Sequence, residues 1–156
     1  MAQSKNYTVQ EATKRMERYC AYQERCHQEI VQKLKEMNMI PQAIELITVH
    51  LINENYLNEE RFARSFARGK FSIKKWGKRR IVAELKQRQV SQFNIKAALT
   101  EIDETAYLNT FDELAKKRLS QIKEKNVFKR KRKLADYLIY RGWENELVYA
   151  KIRELL

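Results

Sequence analysis

The apolar residues of this chain recur with a period of just over fifty positions, and this repeat restricts the folds open to it. The template, in the middle of the chain, is Ile81, Leu85, Val90, Ile95 and Ile102. At an offset of 51 toward the amino terminus and of 53 toward the carboxyl terminus, every template position is apolar again. The matching residues are Ile30, Leu34, Met39, Ile44 and Leu51, then Leu134, Leu138, Trp143, Val148 and Leu155. One structural unit therefore occurs three times.

Within each unit the apolar spacing is helical. Ile81 and Leu85 stand four residues apart, a break follows at Val90 and Ser91, and the helical pattern resumes at Ile95. A further helix precedes these two in each unit, marked by Ala12, Met16 and Tyr19, by Phe62 and Phe66, and by Leu114, Ala115 and Leu119. Additional helix breaks are predicted at 39–41 and 69–72, and Gly142 has the position of a C-cap glycine.

The predicted fold is all-α, with three tandem three-helix bundles. Their predicted bounds are 1–54, 55–104 and 105–156. Bundles of about fifty residues have thin cores, so we expect them to pack in a line and form an elongated, curved molecule. Three glycines and one proline in 156 residues disfavour turn-rich β folds and glycine-rich phosphate loops.

The charge of the chain indicates a polyanionic partner. Lysine and arginine number 32 against 20 aspartates and glutamates, which gives a net charge of +12. Residues 1–54 hold seven cations and seven anions, 55–104 hold twelve and six, and 105–156 hold thirteen and seven. The positive charge therefore belongs to the second and third units.

The cations of these units fall into three groups. Arg61, Arg64 and Arg68 share one helix stripe opposite Phe62 and Phe66, and are expected to face solvent or a partner. The second group, Lys74, Lys75, Lys78, Arg79 and Arg80, lies around the entry of the next helix. The third group, Lys129–Lys133, lies at the equivalent position of the last unit. The candidate partner-binding and DNA-binding residues are Arg61, Arg64, Arg68, Lys74, Lys75, Lys78, Arg79, Arg80, Lys129, Arg130, Lys131, Arg132 and Lys133.

Cations at helix entries oppose the helix dipole, so a fold-stabilising role does not explain them. We infer that phosphate or carboxylate groups bind at the entries marked by Lys78–Arg80 and Lys131–Lys133. The alternative is a solvated basic surface that serves solubility. Trp76, between cations, could stack on an unpaired base. A tryptophan at a helix entry more often closes the end of a bundle, and we favour that interpretation.

Residues 56–90, YLNEERFARSFARGKFSIKKWGKRRIVAELKQRQV, resemble the middle segment of the RecX family, bacterial regulators of the RecA recombinase. The likeness rests on the tyrosine-leucine start, the E-R-F-A helix, and Gly77 followed by basic residues and an isoleucine. Glu84 and Leu85 complete it. The family often has a proline after the motif glycine, where this chain has Lys78. In the first and third units mainly the apolar pattern agrees.

The resemblance implies a non-enzymatic negative regulator of RecA, and no cofactor is expected. A cytoplasmic protein is predicted because the chain has no stretch of about 18 apolar residues and its first thirty residues lack the apolar centre of a signal peptide. The implied regulator lies as a monomer along the groove of the RecA filament on single-stranded DNA, and suppresses ATP hydrolysis and strand exchange. On this interpretation the candidate cations contact acidic filament surface or DNA phosphate, with double-stranded DNA as a second possible partner. Homologous recombination, DNA repair and the SOS response are the implied setting.

Three other classes of protein are alternatives. A stand-alone helical DNA-binding protein, of the backbone or helix-turn-helix type, is the main alternative. It is less favoured because base readout needs side chains on an exposed recognition helix, whereas the cations of this chain collect at helix entries. An enzyme is disfavoured because His27 and His50 are the only histidines and no nucleophile motif is visible. Cys20, Cys26 and His27 lack the spacing of a zinc site, and reduced thiols are expected. Membrane attachment ranks last, since the apolar faces are needed for the cores.

Overall fold

The computed structural model describes residues 6–156, and every regular element in this range is an α-helix. The helices of this range are α1 (Val9–Tyr22), α2 (His27–Glu36), α3 (Pro41–Asn53), α4 (Glu59–Ser72), α5 (Lys78–Gln87), α6 (Gln92–Leu99), α7 (Glu104–Gln121), α8 (Val127–Tyr140) and α9 (Asn145–Leu155). The all-α prediction is confirmed. The predicted unit 1–54 begins outside the described residues, and the division at 54 and 104 stays a prediction.

Short polar side chains fix most helix starts. Thr8 and Glu11 form a reciprocal capping box at α1, in which the Thr8 hydroxyl accepts from the Glu11 amide at 3.0 Å. At α4, α6, α7 and α8 the cap is a single hydrogen bond, in which a side-chain oxygen accepts from the backbone amide three residues further on. The capping residues are Asn58, Ser91, Asp103 and Asn126. Pro41 opens α3 at its first helical position, where its missing N–H costs no hydrogen bond.

The repeat is visible in the backbone as well as in the core. Asn38, Gln89 and Gly142 all have positive φ, at 60°, 61° and 94°, and they lie 51 and 53 residues apart. Each follows the second helix of its unit. In each case the next residue donates its N–H back to a leucine carbonyl, pairing Met39 with Leu34, Val90 with Leu85 and Trp143 with Leu138 at 3.1–3.2 Å. These are three copies of one Schellman cap, closed by the apolar pairs that define the sequence repeat.

One predicted helix break is wrong. Helix α4 continues through the segment 69–72, which the glycine had marked as an interruption, and ends at Ser72. Apart from its chain neighbours and the adjacent backbone of α4, no heavy atom lies within 4 Å of the position that a Cβ on Gly69 would take. The intrinsic helix cost of one glycine is about 1 kcal/mol, and packing of α4 outweighs it.

The buried residues form two clusters. One joins α1, α2 and α3 around Met16, Ile30, Leu34, Ile47 and Leu51, and includes Leu57 beyond α3. The other is continuous through α4 to α9 and contains the cores of both later units. Cys26, at the start of α2, belongs to this larger cluster and connects the first three helices to it. Cys20 and Cys26 are free thiols, and burial raises the pKa of each to about 11.

The molecule exposes more surface than a sphere-like protein of its mass. Its accessible area is 10411 Å², whereas a compact monomer of 18.8 kDa exposes about 8300 Å². The excess fits the predicted line of small bundles.

Candidate functional site

The start of α5 docks onto the turn between α8 and α9. The amide of Gly77 donates to the Arg141 carbonyl at 2.8 Å, and that of Arg79 donates to the Gly142 carbonyl at 3.0 Å. The Lys78 amide donates to the Tyr107 hydroxyl at 2.8 Å. These bonds join the second and third three-helix units next to the cations at the start of α5.

Two glycines allow this approach. A Cβ on Gly77 would lie 2.4 Å from the Gly142 carbonyl carbon and oxygen, and a Cβ on Gly142 would lie 2.3 Å from the Cβ of Arg80. Neither position has room for a side chain. The Trp143 indole N–H donates to the Lys75 carbonyl at 3.2 Å and the Arg141 guanidinium donates to the Lys74 carbonyl at 2.8 Å, which anchors the loop before α5.

Two backbone amides in the first turn of α5 are therefore not open to an anion, whereas anion binding by the side chains at this entry stays a prediction. The amides of Lys78 and Arg79 are already used within the chain. The cations beside them have aromatic and acidic partners: Lys78 Nζ lies 4.5 Å from the Tyr107 ring and 2.9 Å from Glu104, and the Arg80 guanidinium lies 4.1 Å from the Trp76 ring. Cation–π contacts offset the unfavourable dipole. Contacts within the fold thus explain part of the cationic character of this helix start, which the sequence alone attributes to a bound anion.

Tyr107 is the polar centre of this junction. Its hydroxyl accepts from the Lys78 amide and donates to the Glu144 carboxylate, while its ring lies 4.5 Å from that of Trp143. Burial, followed by the hydrogen bond to Glu144, raises the pKa of Tyr107 well above its usual value. The hydroxyl therefore stays protonated and keeps both hydrogen bonds. Trp76, partly buried and edge-on to Phe66, lies at the border of the core.

The arginine stripe of α4 lies at the surface, with Arg68 exposed and Arg61 and Arg64 half-buried, and all three guanidinium groups also have partners within the chain. Arg61 is held by the Glu24 carboxylate and by the Asn55 side chain and carbonyl. Arg64 and Arg68 converge on Glu101 at 3.1 Å and 3.2 Å. The two guanidinium groups lower the pKa of Glu101, Arg64 contributing most. These arginines connect α4 to neighbouring segments, and only part of each remains available to a partner.

Other candidate cations have no side-chain partner among residues 6–156. Lys74, Lys75 and Arg79 are exposed and make no ion pair there. On α8 Lys129 and Arg132 are likewise exposed and form no ion pair in that range, Arg130 and Lys131 are half-buried and also unpaired there, and Lys133 lies 3.8 Å from Glu124. These are the cations that the structure leaves available for an external anion.

The basic group of α8 differs from that of α5 in its helical position. Helix α5 begins at Lys78, but α8 begins at Val127, so Lys131–Lys133 lie in its second turn. The expectation that both groups occupy matching helix entries is therefore wrong. The exposed side of α8 contacts α5 at its far end. Lys129, Arg132 and Tyr140 lie on the exposed side of α8, and the Arg80 guanidinium lies 4.9 Å from the Tyr140 ring.

Sequence reasoning missed two arginines. Arg118 of α7 and Arg141 at the end of α8 both lie over the ring of Tyr137, with guanidinium carbons 4.5 Å and 4.7 Å from its centroid. The four-residue spacing of Tyr137 and Arg141 could have indicated a shared face, but the part of Arg118 depends on how α7 packs against α8.

Two findings bear on the other classes of protein. In residues 6–156 no group of three or more histidine, cysteine and acidic side chains is arranged to hold a metal ion. Within that range no helix combines the length and the apolar character needed to cross a bilayer.

Fold and surface together define a class: a tandem repeat of three-helix bundles with an exposed basic face. Two family models of three-helix domains match the second and third units of the chain. The model of the RecX second three-helix domain matches residues 58–99, and that of the RecX third three-helix domain matches 105–152. The chain belongs to the RecX family of regulatory proteins.

Similar proteins of known family support the same assignment. The regulatory protein RecX of Prosthecochloris aestuarii is 32% identical over 139 residues, which cover 88% of this chain and 89% of the relative. That of Yersinia enterocolitica is 35% identical, covering 68% of this chain and 62% of the relative. The match to RecX of Lactobacillus johnsonii, 32% identical over 58% of this chain, spans only 33% of that longer relative.

Solved structures support the same fold. A crystal structure of a regulatory protein RecX superposes with a TM-score of 0.83 at 25% identity, covering 94% of this chain and 73% of the other. RecX from Lactobacillus salivarius has a TM-score of 0.79 at 20% identity, covering 94% and 96%. The prediction of tandem three-helix bundles is confirmed.

Proposed function

We propose that this chain is a non-enzymatic negative regulator of RecA. In this proposal it lies as a monomer in the groove of the RecA filament on single-stranded DNA, in the cytoplasm, and lowers ATP hydrolysis and strand exchange. Family membership supports a RecA-related partner. The observation that carries the filament proposal is a set of exposed cations, Lys74 and Arg79 around the start of α5 and Lys129 and Arg132 on α8, whose side chains form no ion pair in the described range.

The shape of the basic surface favours a long anion over a compact one. Lys129 and the end of α8 at Tyr140 are eleven residues apart, or about 16 Å along the helix axis. Arg80, stacked on Tyr140, continues the surface onto α5. Cations at both ends of that length, with the exposed Asp136 between them, suit spaced contacts with a phosphate backbone or an extended acidic groove.

The main alternative, a helix-turn-helix protein that reads duplex sequence, receives less support. Helix α5 would be its recognition helix in the second unit, yet the first turn of α5 is held against Gly142 and Tyr107. The exposed cations of α8 suit backbone contacts, which carry no sequence information. Protection of one particular duplex sequence at moderate salt would favour the alternative.

The direct test is the rate of ATP hydrolysis by RecA on single-stranded DNA. Adding the wild-type chain in equimolar amount lowers that rate if the proposal is right. Replacing Lys74, Arg79, Lys129 and Arg132 together with Gln removes four positive charges without breaking an internal ion pair within residues 6–156. We expect this variant to fold and to suppress ATP hydrolysis much less.

A matched control removes the same charge elsewhere. Lys14, Arg18, Lys35 and Lys96 are exposed, and their replacement with Gln should leave suppression intact. If the wild-type chain has no effect on RecA, the proposed function is wrong. If both variants lose suppression equally, net charge alone is responsible and the proposed surface is wrong.

A further inference from the structure

Two arginines from different helices converge on one tyrosine without a carboxylate between them. The guanidinium carbons of Arg118 and Arg141 lie 4.5 Å and 4.7 Å from the centroid of the Tyr137 ring. Since both distances end at the same point, the two carbons are at most about 9 Å apart, a separation at which like charges repel. Within residues 6–156 neither arginine forms an ion pair. The fold therefore holds two cations together and leaves their charge uncompensated.

The hydrogen bonding of Arg118 is also incomplete. The Nε of Arg118 has no acceptor in the described chain and no access to solvent. The Nε of Arg130, seven residues before Tyr137 on the same side of α8, is in the same condition. An unsatisfied donor of this kind is costly, and it gains a partner when a guanidinium turns its fork toward an anionic oxygen. Arg141, in contrast, has one Nη fixed on the Lys74 carbonyl, which holds its position.

From these observations we infer that Arg118 and Arg141, oriented by Tyr137, form a clamp for a phosphodiester group of single-stranded nucleic acid. This Tyr137 clamp deepens the proposed function, on which it rests, by assigning the nucleic-acid backbone to a particular pair of helices. One phosphate that accepts from both forks at about 2.7–2.9 Å per bond bridges the separation of the two arginines. The planar fork of arginine matches two phosphate oxygens, which a lysine ammonium does not.

The neighbouring residues indicate a strand instead of a single anion. Arg130 lies about 16 Å along α8 from Arg141, and Lys74 adjoins Arg141 at the other end. At the rise of about 3.4 Å per nucleotide of a stacked strand, this separation corresponds to several nucleotides. A peptide carboxylate would satisfy one fork but would not supply evenly spaced charges over this distance.

The test compares variants in binding to a fluorescently labelled oligo(dT) over a range of salt concentrations, by anisotropy. Arg118→Gln should weaken binding about tenfold or more at low salt, and should reduce the salt slope by about 0.7, the value for one phosphate contact on a single strand. Lys117→Gln is the matched control, because Lys117 is the exposed neighbour on α7 and loses the same charge. It should keep the wild-type slope.

Arg118→Lys separates fork geometry from charge and serves if the glutamine variant does not fold. It should retain the wild-type salt slope while binding more weakly, since it keeps the charge and loses the planar fork. The inference is overturned if wild type does not bind the oligonucleotide, if Arg118→Gln and Lys117→Gln behave alike, or if Arg118→Lys binds as wild type does. Suppression of RecA is measured separately. If the wild-type chain suppresses RecA but Arg118→Gln leaves the salt slope unchanged, only the clamp is wrong. If Arg118→Gln changes the salt slope but the wild-type chain does not suppress RecA, only the proposed function is wrong.

Discussion

At the scale of single residues, the junction between α5 and the α8–α9 turn depends on the absence of two side chains. Gly77 and Gly142 let backbone meet backbone, and the hydrogen bonds of Gly77 and Arg79 require that distance. Gly142 also has φ of 94°, a conformation that glycine adopts without strain. The same junction orients Arg80 and Arg141, so residues without side chains position the cations of the proposed surface.

Replacement of Gly77 with Ala should destabilise the protein by about 1–3 kcal/mol, because the new Cβ meets backbone atoms that cannot rotate away. The free energy of unfolding is measured by urea denaturation. Gly69→Ala, inside α4, is the control: apart from its chain neighbours and the adjacent backbone of α4 its Cβ meets nothing within 4 Å, and it should stabilise by about 0.4–1 kcal/mol. Equal stability of Gly77→Ala and wild type would contradict the close approach.

At the scale of helices, ion pairs between elements account for much of the charge that sequence alone leaves unassigned. Arg64 and Arg68 of α4 both reach Glu101, in the segment that follows α6. Lys151 of α9 reaches Asp112 of α7 at 2.7 Å, which lowers the pKa of Asp112. Such pairs fix how helices meet within a bundle, and they reduce the number of cations available to a partner.

The Glu101 cluster should make stability depend on pH in a defined direction. The pKa of Glu101 is lower in the folded protein than in the unfolded chain, because Arg64 and Arg68 stabilise the carboxylate. Its stabilising effect is therefore present above the unfolded pKa of about 4.3, and is lost as pH falls through the folded value.

Glu101→Gln should consequently be less stable than wild type at pH 7, and the difference should shrink below about pH 4. Urea denaturation at several pH values measures it. Glu113→Gln, an exposed carboxylate on α7 without an ion pair in the described range, is the control and should track wild type throughout. A difference that persists unchanged at low pH would mean that the ion pairs do not stabilise α4 against the residues after α6.

At the scale of the whole molecule, the cores are not divided evenly among three bundles. The cores of α4 to α9 are continuous through Ile81, Leu85, Tyr107 and Leu138, whereas α1 to α3 keep a separate cluster. Trp143, in the Schellman cap of the third bundle, packs against Tyr107 and Phe111 and completes the larger core. The two basic units therefore form one body, which keeps the cations of α5 and α8 in register.

Native-state hydrogen exchange should detect this division. Leu138→Ala removes a fully buried side chain, at a cost of about 2–5 kcal/mol, and should reduce amide protection in α4 to α9 together while α2 stays protected. Leu34→Ala, an equivalent truncation in the first cluster, should reduce protection in α1 to α3 only. Equal loss of protection along the whole chain in both variants would contradict two separately cooperative cores.

The sequence by itself determined the helical repeat and the location of the charge. Apolar residues spaced at i and i+4, and the break at Val90, depend on contacts within a few residues, so local pattern was enough to predict them. The excess of cations beyond residue 54 needed only counting. What the tertiary structure alone decided is which cations are free. Arg61 meets Glu24 and Arg64 meets Glu101, 37 residues away in each case, and Arg118 meets Tyr137 across two helices. Such pairings depend on how helices pack, because the reach of a side chain is a few ångströms and its partner is set by the fold.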